Sequence, residues 1–279
     1  MKDESKNIVL ILVALALFTG ATIEYSEGSV AIGILLFIIA AGLISRIKLT
    51  GENSAFRSSK TYIFSGLCIV AAIVTYNIAT EGSIGTLDSM TILIGASLIA
   101  MGTSKKEVRQ LGEFGLYIST VFTGLFFIFY SFLGMLKINF IHLFDHYFVL
   151  MPTVILLKLV NIPVEITSIE TIKLYGLTET MTIVIGGPCS GLYSMFLLVG
   201  IVVAYSRIEK MRMEKSILLL VFAVCIAYVA NLARVFALYV IAYQYGIQTM
   251  MTFHTHLGWI LFAGTAGIIM YILNRKDLL

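Results

Sequence analysis

The clearest candidate for chemistry in this sequence is a cysteine at the start of an apolar segment. Cys189 lies in Gly186-Gly-Pro-Cys-Ser-Gly191, between a run rich in β-branched residues and a long apolar run. This order predicts a sharp turn from a strand into a helix, where small neighbours allow close approach of a substrate. A thiol at a helix N-terminus ionises more readily and becomes a nucleophile. The candidate supporting residues are Gly187, Pro188, Ser190 and Gly191. A buried cysteine in a glycine-rich packing turn is the alternative interpretation.

Two polar residues lie three positions apart inside a later apolar run. Asn231 and Arg234 fall within 216–240 and share one face if this run is helical. An ionisable side chain inside a membrane span is costly and therefore marks a candidate functional site. The alternative is an arginine that extends its head group to the membrane surface. Because the sequence stays apolar from Val235 to Ala242, we favour a functional role for Arg234.

Two histidines open the last apolar run, in Phe253-His-Thr-His-Leu-Gly-Trp259. Helical spacing places His254 and Gly258 on one face and directs His256 elsewhere. A histidine in this position can act as a general acid or base, and we take His256 and Gly258 as supporting residues. A polar and aromatic anchor at the membrane surface is the alternative.

His142 and His146 form a second pair, four residues apart, with Asp145 between them. This spacing is also found in metal sites. However, Leu143 occupies the position where His-Glu-x-x-His enzymes carry their glutamate. We therefore expect an amphipathic helix at the membrane surface and no metal site.

The other two cysteines, Cys68 and Cys225, lie inside apolar runs. Three cysteines without regular spacing predict neither a disulfide framework nor a metal centre. We expect Cys68 and Cys225 to be small apolar residues of the core.

The composition shows which kind of fold must position these residues. Of the 279 residues, 59% are hydrophobic and 13% are charged, against about 25% charged in a typical soluble domain. This excludes an ordinary soluble protein and a disordered chain, and a net charge of +3 does not favour a nucleic-acid partner. We expect an all-α polytopic membrane protein with about eight transmembrane helices. The apolar runs are 7–23, 29–45, 61–79, 87–102, 114–136, 190–206, 216–240 and 256–273.

The basic residues indicate the orientation in the plasma membrane. Fifteen of the 19 lysines and arginines lie in alternate loops or at the termini, whereas the loops near 24–28 and 80–88 contain none. By the positive-inside rule, these basic segments and both termini are cytoplasmic. The fifteen are Lys2, Lys6, Arg46, Lys48, Arg57, Lys60, Lys105, Lys106, Arg109, Arg207, Lys210, Arg212, Lys215, Arg275 and Lys276. This topology places Cys189, Arg234 and His254 at the same extracytoplasmic face, which scattered packing residues have no reason to share.

A long outer segment, 137–189, precedes span six. Residues 147–160 are apolar but contain Pro152 and Lys158, which indicates an interfacial or re-entrant helix. Polar and β-branched residues alternate over 166–175 and 179–185, on either side of Gly176-Leu-Thr178. This alternation predicts a small β-hairpin. Loops of this length usually carry function.

The ordered set Pro188-Cys-Ser-Gly191, Asn231-x-x-Arg234 and His254-x-x-x-Gly258 resembles the exosortase/archaeosortase family of multispan membrane transpeptidases. The resemblance covers about 150–273, whereas residues 1–136 share only an apolar, multispan character. The length and the lysine- and isoleucine-rich style look more like the archaeal branch.

The resemblance implies an enzyme that recognises a C-terminal sorting signal made of a short motif, a transmembrane helix and a basic tail. Such an enzyme cleaves near the motif and joins the new C-terminus to an acceptor, which is a lipid in the archaeal case. The resemblance implies Cys189 as the nucleophile, Arg234 as the second catalytic residue and His254 as the third. No cofactor or metal is required, and the implied partners are substrate proteins, the acceptor and membrane lipids.

Other classes of function stay open at this point. A cysteine protease that releases its product to water would use the same residues. A transporter needs polar residues at the bilayer midplane, and spans one to five contain few of them. A structural or assembly subunit would need no reactive cysteine. We divide the chain into an N-terminal five-span region, 1–136, and a catalytic region, 137–279.

Overall fold

The computed structural model describes residues 34–36, 38–39, 59–82, 85–185, 190–208 and 210–274. The predicted span 7–23 lies outside these residues. Of 29–45, only 34–36 and 38–39 are described, and they are helical. The described chain is mostly helical and contains one small β-sheet.

Apart from the helical residues within 34–39, the described residues form six helices and three strands when consecutive helical segments are counted as one helix. In chain order they are α1 (Lys60–Ala79), α2 (Thr86–Gly102), α3 (Lys106–Phe126, continued by a π-helical segment Phe127–Phe132 and a last turn Leu133–Met135), α4 (Phe140–Leu159, with a π-helical segment Asp145–Leu150), β1 (Val164–Ile166), β2 (Thr171–Tyr175), β3 (Thr180–Val184), α5 (Leu192–Ile208) and α6 (Met213–Asn274).

Several of these helices suit a membrane. Four stretches of the described residues are long and apolar enough to cross a bilayer: Lys60–Ala79, Val108–Met135, Phe140–Leu159 and Met213–His254. The shorter apolar helices α2 and α5 match the predicted runs 87–102 and 190–206. The prediction of a multi-pass protein made of apolar helices is therefore confirmed, and the total of eight spans stays a prediction.

The helix of the outer segment is longer than predicted. It begins at Phe140, before the expected start at 147, and its length and composition meet the requirement for a span. Within its π-helical segment, Phe148 O accepts a hydrogen bond from the Tyr228 hydroxyl at 2.9 Å.

Glycines allow close helix packing in the first of two compact units, whose described parts lie within 59–128 and 195–224. A Cβ atom at Gly95 of α2 would lie 2.7 Å from Val70 Cγ2 and 2.9 Å from Gly66 O, both on α1. Small residues of this kind let helix backbones approach where no hydrophobic driving force between helices exists.

The prediction that Cys68 and Cys225 belong to the core is wrong, because both side chains are exposed. In a bilayer, the lipid-facing side of a helix is as apolar as its packed side. An apolar run therefore does not identify which of its residues are buried.

The second compact unit, with described parts within 34–39, 129–194 and 225–274, has a core of helices packed on the sheet. Alternate residues of β2 and β3 point into it, including the fully buried Ile172 and Leu174. Leu150 and Leu157 of α4 and Val235, Leu238 and Ala242 of α6 complete it.

The predicted hairpin is confirmed, because β2 and β3 pair antiparallel with Lys173 opposite Thr182. A third strand, β1, pairs antiparallel with β2 and gives the order β1-β2-β3. We did not predict β1, since three residues after Pro163 are too short to show an alternating pattern.

The close approach of α1 and α2 predicts a cost for any side chain at Gly95. We expect Gly95→Ala to lower the free energy of unfolding by about 1–3 kcal/mol, because the added methyl group overpacks the interface. Thermal unfolding of the purified protein in detergent measures this. The matched control is Gly124→Ala on α3, where a Cβ atom would meet none of the described residues within 4 Å. Equal effects of the two variants would contradict this account of the packing.

Candidate active site

The segment that contains Gly187, Pro188 and Cys189 lies outside the described residues, and the chain on either side of it is described. The backbone N–H of Ile185, just after β3, donates to Glu170 O at 2.7 Å, which keeps the strand pairing to this point. On the other side α5 begins at Leu192. A strand therefore ends shortly before Cys189 and a helix begins shortly after it, and the predicted turn between them lies outside the described residues.

Ser190 and Gly191 form the contact between this turn and α6. Ser190 is fully buried, and its hydroxyl oxygen accepts a hydrogen bond from the N–H of Leu192 at 3.4 Å. The Asn231 side-chain amide donates to Ser190 O at 2.8 Å. Gly191 has φ +80°, and a Cβ atom there would lie 2.7 Å from Asn231 Nδ2. Both the left-handed backbone and the close packing therefore require glycine at this position.

Arg234 is buried next to the last motif of the sequence. Its exposed fraction is 9%, equal to that of Asn231. A Cβ atom at Gly258 would lie 3.4 Å from Arg234 Nη1. The guanidinium group thus lies within van der Waals reach of position 258, and the two motifs lie side by side in the fold.

The histidines occupy the stretch of α6 just before Gly258. This stretch is helical, so His254 lies one turn before Gly258 on the same face, and His256 points in another direction. The backbone is helical at both histidines, and the His254 residue is partly exposed. His254 therefore lies one helical turn before the glycine that faces the guanidinium group of Arg234.

A break in α6 sets the position of these histidines. Gly246 has φ 83° and ψ 173°, which interrupts the helical backbone. The turn of the hairpin lies against this break. Glu179 Oε1 accepts a hydrogen bond from Ile247 N at 3.0 Å, and Leu177 N donates to Tyr243 O at 2.9 Å. The hairpin turn thereby pairs one donor and one acceptor that the interruption leaves without helical partners.

The His142 and His146 side chains both reach the loop before β2. His142 Nδ1 pairs with Glu170 Oε1, and His146 Nδ1 donates to Ile169 O at 2.7 Å. These contacts tie α4 to the sheet. Among the described residues, no group of three or more His, Cys, Asp or Glu side chains is arranged to hold a metal ion.

Asp145 is a further candidate functional residue. The sequence analysis noted it only as the residue that lies between His142 and His146. It is fully buried in α4. It lies within electrostatic reach of Tyr130, which hydrogen bonds to Tyr193 in the first turn of α5. The rings of the two tyrosines are 5.8 Å apart. The cost of a carboxylate in an apolar helix, the argument that identified Arg234, also applies to Asp145.

The contact of Glu179 with the break predicts a specific stability change. We expect Glu179→Ala to lower the free energy of unfolding by about 1 kcal/mol, because the carboxylate acts as the N-terminal cap of the helix after Gly246. Glu179→Gln keeps an oxygen acceptor and should retain most of the stability. Thermal unfolding in detergent compares the two, and equal losses would exclude a capping role.

A model of the transmembrane exosortase family matches residues 25–271 of this chain. No curated protein and no solved structure matches it. The matched range includes the contacts at Ser190, Asn231, Arg234 and Gly258, and it extends well before residue 150, where the motif resemblance begins. Because the match covers most of the sequence, the chain belongs to the transmembrane exosortase family.

Proposed function

We propose that this chain is a membrane-embedded cysteine transpeptidase that cleaves the C-terminal sorting signal of exported proteins. Membership of the exosortase family supports a role in sorting membrane-protein substrates. The observation that carries the proposal is the contact between motifs: Gly191 packs against Asn231, and one turn along α6 Arg234 packs against Gly258. A nucleophile at residue 189 is thus two residues from a contact with the helix that carries the buried cation.

In the first step, the Cys189 thiolate attacks the carbonyl carbon of the scissile peptide bond. The oxygen gains negative charge, and the Arg234 guanidinium group donates hydrogen bonds to it. Such a donor is most effective where water is excluded, and Arg234 is 9% exposed. When the C–N bond breaks, the acyl part of the substrate remains on Cys189 as a thioester.

His254 moves the protons of both steps. It gives a proton to the amine that leaves, and it then accepts one from the hydroxyl group of the acceptor. As the acceptor oxygen bonds to the acyl carbon, the C–S bond breaks and the thiolate returns. The partial exposure of His254 is compatible with contact to both substrate and acceptor.

The remaining features of the proposal concern the membrane. The acceptor is a lipid, and the substrate's own transmembrane helix docks laterally against spans six to eight. Both termini of the enzyme are cytoplasmic and the active site is extracytoplasmic. The catalytic region is 137–279, and residues 1–136 form the membrane region before it. We assign the chain to the archaeal branch of the family because of its length and its lysine- and isoleucine-rich sequence.

The thiol mechanism predicts the effect of two substitutions. We expect Cys189→Ala to abolish processing, and Arg234→Lys to slow it about a hundredfold, because an ammonium group cannot reproduce the planar set of donors. A deletion strain of the host, complemented with each variant, is analysed for membrane proteins that retain their C-terminal helix and basic tail. Cys225→Ala, on α6 and exposed, is the matched cysteine control. Full processing by Cys189→Ala would exclude the mechanism.

Mass spectrometry of the product C-terminus separates transfer from hydrolysis. An added lipid or other group on the new C-terminus supports a transpeptidase. A free carboxylate indicates a simple cysteine protease with the same residues.

The direction of the two histidines on α6 predicts that they differ in importance. We expect His254→Ala to reduce the rate of processing by about a hundredfold or more, as for loss of a general acid or base. His256→Ala should reduce it much less, because His256 lies off the face of Gly258. Initial rates of processing in the complemented strain measure both. The reverse order would assign the proton transfer to His256.

A further inference from the structure

The outer edge of β3 carries backbone groups that have no sheet partner among the described residues. β3 is the last strand in the order β1-β2-β3. Two backbone hydrogen bonds, from Gly176 N to Glu179 O and from Ile185 N to Glu170 O, show which alternate residues of β3 direct their N–H and C=O groups towards β2. With the register of β2 and β3, they direct the N–H and C=O groups of Thr180, Thr182 and Val184 away from β2. Within the described residues, these groups make no backbone hydrogen bond.

This edge also lacks the usual protection against pairing. An exposed sheet edge recruits another strand unless proline, charge, a bulge or shortness prevents it. The opposite edge of the sheet, β1, has three residues, follows Pro163 and contains Glu165. β3 has five residues, Thr-Met-Thr-Ile-Val, with no proline and no charge. Its outward residue Val184 is 63% exposed. Of the two edges of this described sheet, the β3 edge is therefore the one open to pairing.

The place of β3 in the chain indicates what the edge receives. The strand ends at Val184, five residues before Cys189. A peptide paired alongside β3 is thus guided to the segment that contains the nucleophile. At about 3.3 Å per residue, the strand matches an extended segment of four or five residues.

We propose that the substrate binds by adding a fourth strand to this sheet. The residues on the N-terminal side of the scissile bond pair with β3 in the parallel direction, and the scissile carbonyl follows Val184 towards Cys189. This inference rests on the proposed function, since it takes Cys189 as the nucleophile. Strand addition draws its affinity from main-chain hydrogen bonds, so the edge selects an extended, unprotected segment of polypeptide and tolerates varied side chains.

A reactive peptide tests the proposal on the full-length protein in lipid nanodiscs. Cys68→Ala and Cys225→Ala leave Cys189 as the sole cysteine. The probe is acetyl-Val-Thr-Val-Ala chloromethyl ketone, whose methylene carbon bonds to the Cys189 sulfur as chloride leaves. Iodoacetamide, which has no strand to pair, measures the intrinsic reactivity of the thiol. Intact-protein mass spectrometry gives both labelling rates.

Two changes should reduce labelling by the peptide without changing labelling by iodoacetamide. Two N-methylated probes are compared, each methylated on one of the two alternating sets of residues. One should react about tenfold more slowly and the other at nearly the original rate, because only alternate N–H groups face β3. Thr182→Pro should have a similar effect. The proline removes the N–H group at residue 182, which points away from β2, and leaves the backbone hydrogen bonds between β3 and β2 in place. Ile166→Pro, which changes an outward N–H on the β1 edge, is the matched control and should change neither rate.

Each other outcome has a distinct meaning. Strand addition would be overturned if Thr182→Pro left peptide labelling unchanged, or if the two N-methylated probes were slowed equally. A dimer in light scattering that Thr182→Pro converts to a monomer, with unchanged labelling, would assign the edge to a second copy of the chain and also overturn it. If Cys189 reacts with neither reagent, the proposed function fails. In that case, hydrogen–deuterium exchange on Cys189→Ala with acetyl-Val-Thr-Val-Ala amide still decides the inference: protection of the Thr180, Thr182 and Val184 amides supports it, and unchanged exchange rejects it.

Discussion

The contact between the hairpin turn and the break in α6 is the constraint on which the arrangement around the candidate site depends. An interrupted helix leaves N–H and C=O groups that no longer have partners within the helix. Glu179 and Leu177 pair with two of these groups at the break. The direction of the helix after Gly246, and with it the position of His254, is therefore tied to the sheet. The same sheet leads directly into the segment that contains Cys189. One small β element thus controls both the helix of the proposed acid and base and the chain on which the proposed nucleophile lies.

Polar groups inside apolar helices hold the second part of this arrangement together. The Asn231 amide is bonded to the backbone carbonyl of Ser190, so it satisfies an acceptor in the turn at the start of α5. Glycine at 191 brings backbone against the Asn231 side chain, and the Arg234 side chain lies beside Gly258. Buried polar side chains of this type are favourable only with partners in place. They therefore specify one relative position of the start of α5 and the two parts of α6 near the site, which an apolar contact alone would define less sharply.

The features predicted from sequence are those that arise from short-range patterns. Apolar length identified the helices, alternation identified β2 and β3, and the spacing of Asn231 with Arg234 and of His254 with Gly258 placed each pair on one helical face. Features that depend on tertiary contact were missed. The Gly246 break follows from its contacts with a turn far away in the sequence, and β1 forms because β2 is available to pair with it. Whether Cys68 faces lipid or protein, and whether Asp145 is buried, depends on which side of each helix is packed. In a membrane protein, hydrophobicity does not encode this.

The π-helical segments of α3 and α4 have a consequence for the tolerance of this fold to insertion and deletion. A π-helical turn accommodates one additional residue without unfolding the flanking α-helix. Removal of that residue from Asp145–Leu150 would restore regular winding and leave the flanking faces aligned, whereas removal of one residue from a regularly wound part of α4 would rotate one side by about 100° relative to the other. His142 and His146, which reach the loop before β2, lie at or before the start of this segment. Leu150 and Leu157, which pack against the sheet, lie at its end and beyond it. The π-helical turn is thus the part of α4 where a change of one residue in chain length preserves the relative orientation of these two surfaces, and the same change elsewhere in the helix would rotate one against the other.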